Sequence, residues 1–421
     1  MSTILSDELL SHLMAVGQVD VLVGLPTLNH SDSVGLVVRA AHVAFNRELA
    51  RERTALVNVD GGSTDGTPDI VRDASIVDRE TLVASQSLRT RHRVSGPYHG
   101  VPGKAAALRT VFAAADLLQA RALVVLDPEI ASVTPESVAA LARPALAGEA
   151  DFVSPAYARD PLDGLLVTQV ARPVFRAAYG LALQEPLAGE FGCSGRFATR
   201  CLEEPAWESD ELRLAIDLWI SGMAAGDTMR AAEVGLGPRR LTARPRPAVA
   251  ALVPQVLDAL FTCLRLQEDR WTARSHPMPV ARPAVPSVLP EPSVAVDVAG
   301  YAALFRDGLA ALSPMLEPTL KPSTLDALRA AAAPDRLTVE IPDELWASAL
   351  LELAAAHRHA TISRDHLVRA AVPLYLGRVA SFAAAVAGLD RRAADERLEA
   401  LCLHFERSRG DLVALWTAPA R

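Results

Sequence analysis

Three short apolar runs, each ending on a turn-forming or polar residue, constrain this chain more than any other feature. Residues 19–25 (VDVLVGL) lead into Pro26-Thr27, residues 54–60 (TALVNVD) end at Asp60, and residues 122–127 (ALVVLD) end at Asp127. Each run is too continuous for a half-exposed strand and reads as a buried one. Between the first two, Val34, Val37, Val38, Ala41 and Phe45 recur at helical spacing across 34–50, and 104–119 reads as another helix. Strand, helix, strand with short connections predicts an α/β fold with a mostly parallel sheet and flanking helices. Such sheets bind ligands at the carboxyl ends of their strands, where Pro26, Asp60 and Asp127 fall.

Beyond residue 150 the pattern loosens. DFVSPAY (151–157) reads as a strand, 165–180 and 209–225 as helices, PLAGEFGCSGR (186–196) as a glycine-rich loop, and 248–272 as a long helix. The proline-rich stretch 276–292 must be extended. The expected division is an α/β domain over 1–275, a linker over 276–295 and a helical domain over 296–421. A net charge of −8 argues against a general nucleic-acid coat protein, so no nucleic-acid partner is expected. The first twenty residues lack the basic region of a signal peptide, and no uninterrupted apolar run approaches the ~18–20 residues of a membrane span. A cytoplasmic location follows as the expectation. Cys193, Cys201, Cys263 and Cys402 show no C-x-x-C spacing and read as reduced thiols. Only Lys104 and Lys321 are lysines, against forty arginines, which points first to a GC-rich genome.

The run VNVDGGSTDGT (57–67) carries the most chemistry. Gly61 and Gly62 let the backbone turn tightly, and Ser63, Thr64 and Asp65 can cap the next helix. Asp60 could accept hydrogen bonds from a base or ribose. An ordinary strand-to-helix turn would use the same residues, and local physics does not choose between the two.

GLPTLNH (24–30), followed by VNVDGGSTDGT, resembles the start of a nucleotide-sugar-dependent glycosyltransferase of the GT-A fold. There the first strand leads into a Pro-x-x-Asn loop, and the second ends in Asp-Gly-Ser-x-Asp-Gly-Thr. Pro26, Asn29 and Asp60 match, with one extra glycine. The resemblance implies that Pro26, Thr27, Asn29, Asp60, Gly61 and Gly62 surround the donor nucleoside. GVPGKAAALRTVF (100–112) resembles the Gly-Lys loop and helix of the glucosylglycerate and mannosylglycerate synthase-like branch, which would bring Gly103 and Lys104 to the diphosphate. A solvated helix start is the plainer alternative. Asp127-Pro128-Glu129 falls where this fold carries its D-x-D motif, so Asp127 and Glu129 would hold Mg²⁺ or Mn²⁺. PLAGEFGCSGR resembles a glycine-rich segment of the same branch. It implies Glu190 beside the donor sugar or acceptor, with the backbone of Leu187, Ala188 and Gly189 lining the pocket. AIDLW (215–219) resembles a helix of that branch, with Asp217 facing the reacting sugar. Asp217 and Glu190 are thus the expected catalytic pair.

One departure stands out. Family members carry a later histidine as a third metal ligand, whereas 232–247 holds no histidine and offers Arg239, Arg240, Arg244 and Arg246. Carboxylates alone bind a divalent metal more weakly. An arginine can grip a diphosphate through two hydrogen bonds, so Arg239 and Arg240 join the expected donor-binding residues, and metal dependence is expected to be weak or dispensable.

The resemblance covers about 19–275. It implies a hexosyltransferase that moves a hexose from a nucleotide-diphosphate sugar to a small polar, glycerate-like acceptor with retention of configuration. The donor and acceptor are the expected partners, and a homodimer is compatible with them. The alternative is a catalytically degenerate sugar-nucleotide-binding or scaffold protein on the same domain. A nucleotidyltransferase would begin with a glycine-rich, arginine-bearing loop, which GLPTLNH is not.

Overall fold

The computed structural model describes residues 4–74, 92–97, 103–209, 211–226, 228–242, 249–274, 277–278, 280, 295–333 and 338–418. Most of the expected linker, together with Arg244 and Arg246, lies outside the described residues. The chain forms two compact units whose segments interleave. The first is built chiefly from Met1–Ala158 and Ala188–Arg244, and the second from Arg159–Leu187, Pro245–Pro279 and Pro290–Arg421.

Among the described residues the first unit is an α/β layer with seven strands: β1 (Val21–Thr27), β2 (Thr54–Asp60), β3 (His92–Pro97), β4 (Ala122–Val125), β5 (Phe152–Ala158), β6 (Phe191–Ser194) and β7 (Ala231–Pro238). Their order is β3-β2-β1-β4-β6-β5-β7. All neighbours pair in parallel except β6, which runs antiparallel to both β4 and β5. A mostly parallel sheet with flanking helices, plus a C-terminal helical region, is the architecture expected from the sequence.

The inner strands are buried along their whole length, as their continuous apolar runs require. Val34, Val37 and Phe45 of the helix Val34–Arg47, with Val138 and Leu141 of the helix Pro135–Leu146, pack with Val23, Leu56, Val124 and Val153 of the sheet. The first strand begins two residues later than expected, so Pro26 and Thr27 are strand residues rather than loop. Register then sets Thr27 beside Asp60.

Two elements differ in kind from their expectation. The glycine-rich loop at 186–196 contains β6, because Phe191 and Cys193 are buried apolar side chains and Gly192 lets Leu141 come close. The helix expected over 165–180 is a π-helical turn at Val167–Ala171 continuing into Arg172–Tyr179.

The second unit is helical. Val249–Leu266 packs against Asp343–His359, Arg364–Ala370 and Val372–Val386. Asp258 on the first of these helices meets the buried His357 at 2.9 Å. Arg176 on the helix Arg172–Tyr179 bonds Glu406 and Glu399 at 2.7 and 2.8 Å. Segments 159–187 and 245–279 therefore belong with the C-terminal helices by packing, and the sequential division at 275 and 296 does not describe the units. Among the described residues, Val249–Leu266 and Arg364–Val386 are long and apolar enough to cross a membrane, a length not expected from the apolar runs of the sequence. The latter is 72% buried within the structure, as a core helix is. All four cysteines are buried free thiols.

Candidate functional site

The carboxyl ends of β1, β2 and β4 gather the expected donor residues of the first unit. At β1 and β2, Thr27 Oγ1 donates to Asp60 Oδ1 at 2.8 Å, and Asn58 Nδ2 donates to Thr27 Oγ1 and to the Leu25 carbonyl, both at 2.9 Å. Asp60 also accepts from the Ser63 hydroxyl at 2.6 Å and from the Gly62 and Ser63 amides at 3.0 and 2.8 Å. A carboxylate offers about four acceptor positions, and here the chain itself supplies four donors. Asp60 thus fixes the loop directly, and a base or ribose hydroxyl could bond it only by displacing one of these partners. Gly61 donates to the Thr27 carbonyl at 2.7 Å, and Gly62 has φ +89, a conformation glycine adopts without strain. Asn29, at φ 56, locks the two loops together: its amide donates to Ser63 Oγ at 2.8 Å and its Oδ1 accepts from the Thr64 amide at 2.9 Å.

Beyond β4, Asp127 turns its Oδ1 to the Glu129 amide at 2.9 Å, closing a tight turn. Segment 239–242 is stitched to this turn. The Ala131 amide donates to the Arg240 carbonyl at 2.9 Å, the Thr242 amide donates to the Glu129 carbonyl at 2.8 Å, and the Arg240 amide donates to Ser132 Oγ at 3.1 Å. That stitching places the Arg239 guanidinium 3.4 Å from Asp127 Oδ2 and 3.3 Å from Glu190 Oε1, while the Arg240 side chain is exposed. The Arg239 guanidinium also lies 5.7 Å from the centre of the Tyr157 ring.

Glu190 is 1% exposed, accepts a short hydrogen bond from the Tyr157 hydroxyl, and has its Oε2 buried with no hydrogen-bond partner. Burial pushes its carboxyl above the usual glutamate range, although the Arg239 charge pulls the other way. Gly189 passes so close to Asp127 that a Cβ there would sit 2.7 Å from Oδ2. Ala188 and Gly189 lie on the approach to β6, whereas Leu187 belongs to the second unit.

Lys104, the first residue of the helix Lys104–Leu117 after Gly103, closes an ion pair with Asp217 of the helix Leu212–Met223, at 2.8 and 2.9 Å to its two oxygens. Burial alone would lower the ammonium's pKa, but Asp217, Asp127 and Glu190 outweigh it and hold it above the ordinary lysine value. Lys104 therefore stays charged.

Tyr157 and His30 were not singled out by the sequence. Tyr157 bonds Glu190 across 33 residues, a pairing visible only once β5 and β6 are neighbours. His30, in the loop after β1, lies 3.6 Å from Glu129 and joins that loop to the Asp127 turn.

The fit to a divalent cation rests on two carboxylates. Among the described residues no three metal-ligating side chains cluster. Asp127 and Glu129 fit Mg²⁺ or Mn²⁺ only in the mode where a diphosphate and water supply the remaining oxygens.

No family model matches the sequence, and no curated protein matches it. Solved structures do. Glucosyl-3-phosphoglycerate synthase from Mycobacterium tuberculosis, in complex with Mn²⁺, uridine-diphosphate-glucose and phosphoglyceric acid, is 23% identical, with 61% of this chain and 82% of that chain covered and a TM-score of 0.42. The same synthase with phosphoglyceric acid alone is 22% identical over 64% and 91% of the two chains, with a TM-score of 0.43. A structure described as a mycobacterial protein is 24% identical over 62% and 78%, again with a TM-score of 0.43.

Proposed function

We propose that the chain is a glycosyltransferase that moves a hexose from a nucleotide-diphosphate sugar to a small polar, glycerate-like acceptor, with retention. The observation that carries this reading is the cluster at the carboxyl end of the sheet. Two cations, Lys104 and Arg239, stand among Asp127, Glu190 and Asp217, beside a loop pinned by Asp60 and Asn29.

Each residue has a physical task in that reaction. Asp60, Asn29, Gly61 and Gly62 shape the loop against which the nucleoside would rest. Lys104 and Arg239 provide positive charge where the departing diphosphate gains negative charge, and fixed charge aimed at that point stabilises the transition state more than any other device such a site holds. A Mg²⁺ or Mn²⁺ held by Asp127 and Glu129 would add charge neutralisation there. The anomeric carbon–oxygen bond to the diphosphate breaks, the bond to the acceptor oxygen forms, and the acceptor's proton passes to the leaving diphosphate. No dedicated base is needed. Glu190 Oε2, buried and without a partner, can accept from a sugar hydroxyl or, when protonated, donate to one. Asp217 orients Lys104 and the sugar rather than abstracting a proton.

Release of the nucleoside diphosphate from UDP-, GDP- and ADP-sugars, with glycerate and phosphoglycerate as acceptors, tests the reading. Turnover with at least one pair is expected, and Asp127→Ala should lower it about a hundredfold or more. Unchanged turnover in that variant would place the chemistry elsewhere.

A second reading, a sugar-nucleotide-binding protein without turnover, has its own observation. Lys104 is paired with Asp217, and Arg239 with Asp127 and Glu190, so both cations are already engaged by carboxylates and less of their charge is left for a departing diphosphate. Calorimetric binding of a nucleotide sugar without release of the nucleoside diphosphate with any acceptor would establish it.

A further inference from the structure

We propose that the Arg239 guanidinium is a resident counter-ion standing where a divalent cation would otherwise sit, so that this chain takes up Mg²⁺ or Mn²⁺ only together with a diphosphate. The inference rests on the reading of Asp127 and Glu129 as carboxylates that face a diphosphate, and extends it to the order in which the cations enter.

Arg239 bridges Asp127 Oδ2 and Glu190 Oε1 at 3.4 and 3.3 Å. Its position is built in. The strand β7 ends at Pro238, the backbone of 240–242 is hydrogen-bonded to 129–132, and the Tyr157 ring lies under the guanidinium. Tyr157 donates to the same Glu190 oxygen that faces Arg239, so one aromatic side chain positions both members of the pair. Asp127 has one oxygen turned to the Glu129 amide and the other to Arg239. A guanidinium cannot be deprotonated in this setting and cannot ligate a metal. A divalent cation brought to Asp127 alone would meet a fixed positive charge at contact distance and, among the described residues, find no third protein ligand. Glu190 Oε2, buried and unpartnered, shows that the cluster holds polar capacity the chain does not fill. A diphosphate supplies oxygens for both cations at once and removes the repulsion between them.

The test measures Mn²⁺ binding by the electron paramagnetic resonance of free Mn²⁺, on the full chain. Without nucleotide, wild type should bind Mn²⁺ weakly, and Arg239→Met should bind it roughly tenfold more tightly or better because the fixed charge is gone. Arg239→Lys, which keeps the charge, should show no gain, and adding Asp127→Asn to Arg239→Met should abolish it. UDP and wild type together should remove more free Mn²⁺ than UDP alone and protein alone remove in sum. The proposal is overturned if wild type takes up Mn²⁺ equally well with and without UDP, or if Arg239→Met gains nothing. Arg239→Gln serves in its place if the methionine variant loses its circular dichroism spectrum. The nucleotide-free arms need no turnover, so a failed screen for nucleoside-diphosphate release leaves them standing and the two readings fail separately.

Discussion

Asp151 shows how a single carboxylate organises the edge of the site-bearing layer. It precedes β5, is buried, and accepts from the Arg230 amide at 3.0 Å, from Ser194 Oγ at 3.1 Å and from both Nε and a terminal nitrogen of Arg196 at 3.2 and 2.7 Å. Burial pushes its pKa up, but the Arg196 and Arg230 hydrogen bonds outweigh it and hold the carboxyl below the ordinary aspartate value. The stabilisation is thus present above the unfolded value near 4 and is lost as pH falls through the lower folded value. Asp151→Asn should destabilise by about 2 kcal/mol at pH 7, and urea titrations should show the gap to wild type narrowing as pH falls from about 4 towards about 2. A gap that stays constant down to that pH would mean the charge is not the cause. Asp127, Glu190, Lys104 and Asp217 could be picked from the sequence because each sits in a local run with its own signature. Tyr157 could not, since nothing local marks a tyrosine whose partner lies 33 residues on. Asp60 was legible as a candidate, but its bond to Thr27 was not, because that partner comes from β1, 33 residues away, whereas its other three donors are local to the turn.

At the scale of the element, β1, β2 and β4 were legible because buried parallel strands are apolar throughout and their helices keep the 3.6-residue period. The antiparallel β6 was not. Four residues with a central glycine carry no period, and the run looks like a loop until its neighbours are known. Gly192 explains why the strand is written that way. A Cβ there would stand 1.9 Å from the Leu141 carbonyl and 3.3 Å from the Val153 side chain, so the helix Pro135–Leu146 can press onto β6 only over a glycine. Gly192→Ala should destabilise by about 2–3 kcal/mol through forced displacement of that helix. Chemical denaturation measures it, and a change within about 0.5 kcal/mol of wild type would show that the helix backbone yields freely. Glu190 lies two residues before Gly192, so the same displacement should disturb the Arg239–Glu190 contact and weaken any nucleotide-sugar binding beyond the loss of stability.

At the scale of the molecule, the interleaving of the two units changes what can be cut away. Sequence order suggested an α/β domain over residues 1–275. The second unit instead draws its core from three separate stretches. Trp346 Nε1 donates to the Gln169 carbonyl at 2.7 Å, and Arg378 Nε donates to Gln169 Oε1 at 2.9 Å. Trp271 packs edge-on against Trp416 with ring centres 5.1 Å apart. Arg409 donates to the carbonyls of Ala177, Ala178, Trp271 and Arg274. A chain ended at 275 keeps Gln169, Arg176, the helix Val249–Leu266 and Trp271 while losing their partners. Arg176 alone would lose both of its carboxylate partners together with the helix Arg391–Arg407 that carries them. The shortened chain is expected to aggregate or to elute as large species in size-exclusion chromatography, with no cooperative thermal transition. A monodisperse 1–275 fragment with a sharp melt would show that segments 159–187 and 245–275 fold without the C-terminal helices. If only the fragment fails while the full chain binds a nucleotide sugar, the C-terminal helices are needed for the fold of segments 159–187 and 245–275.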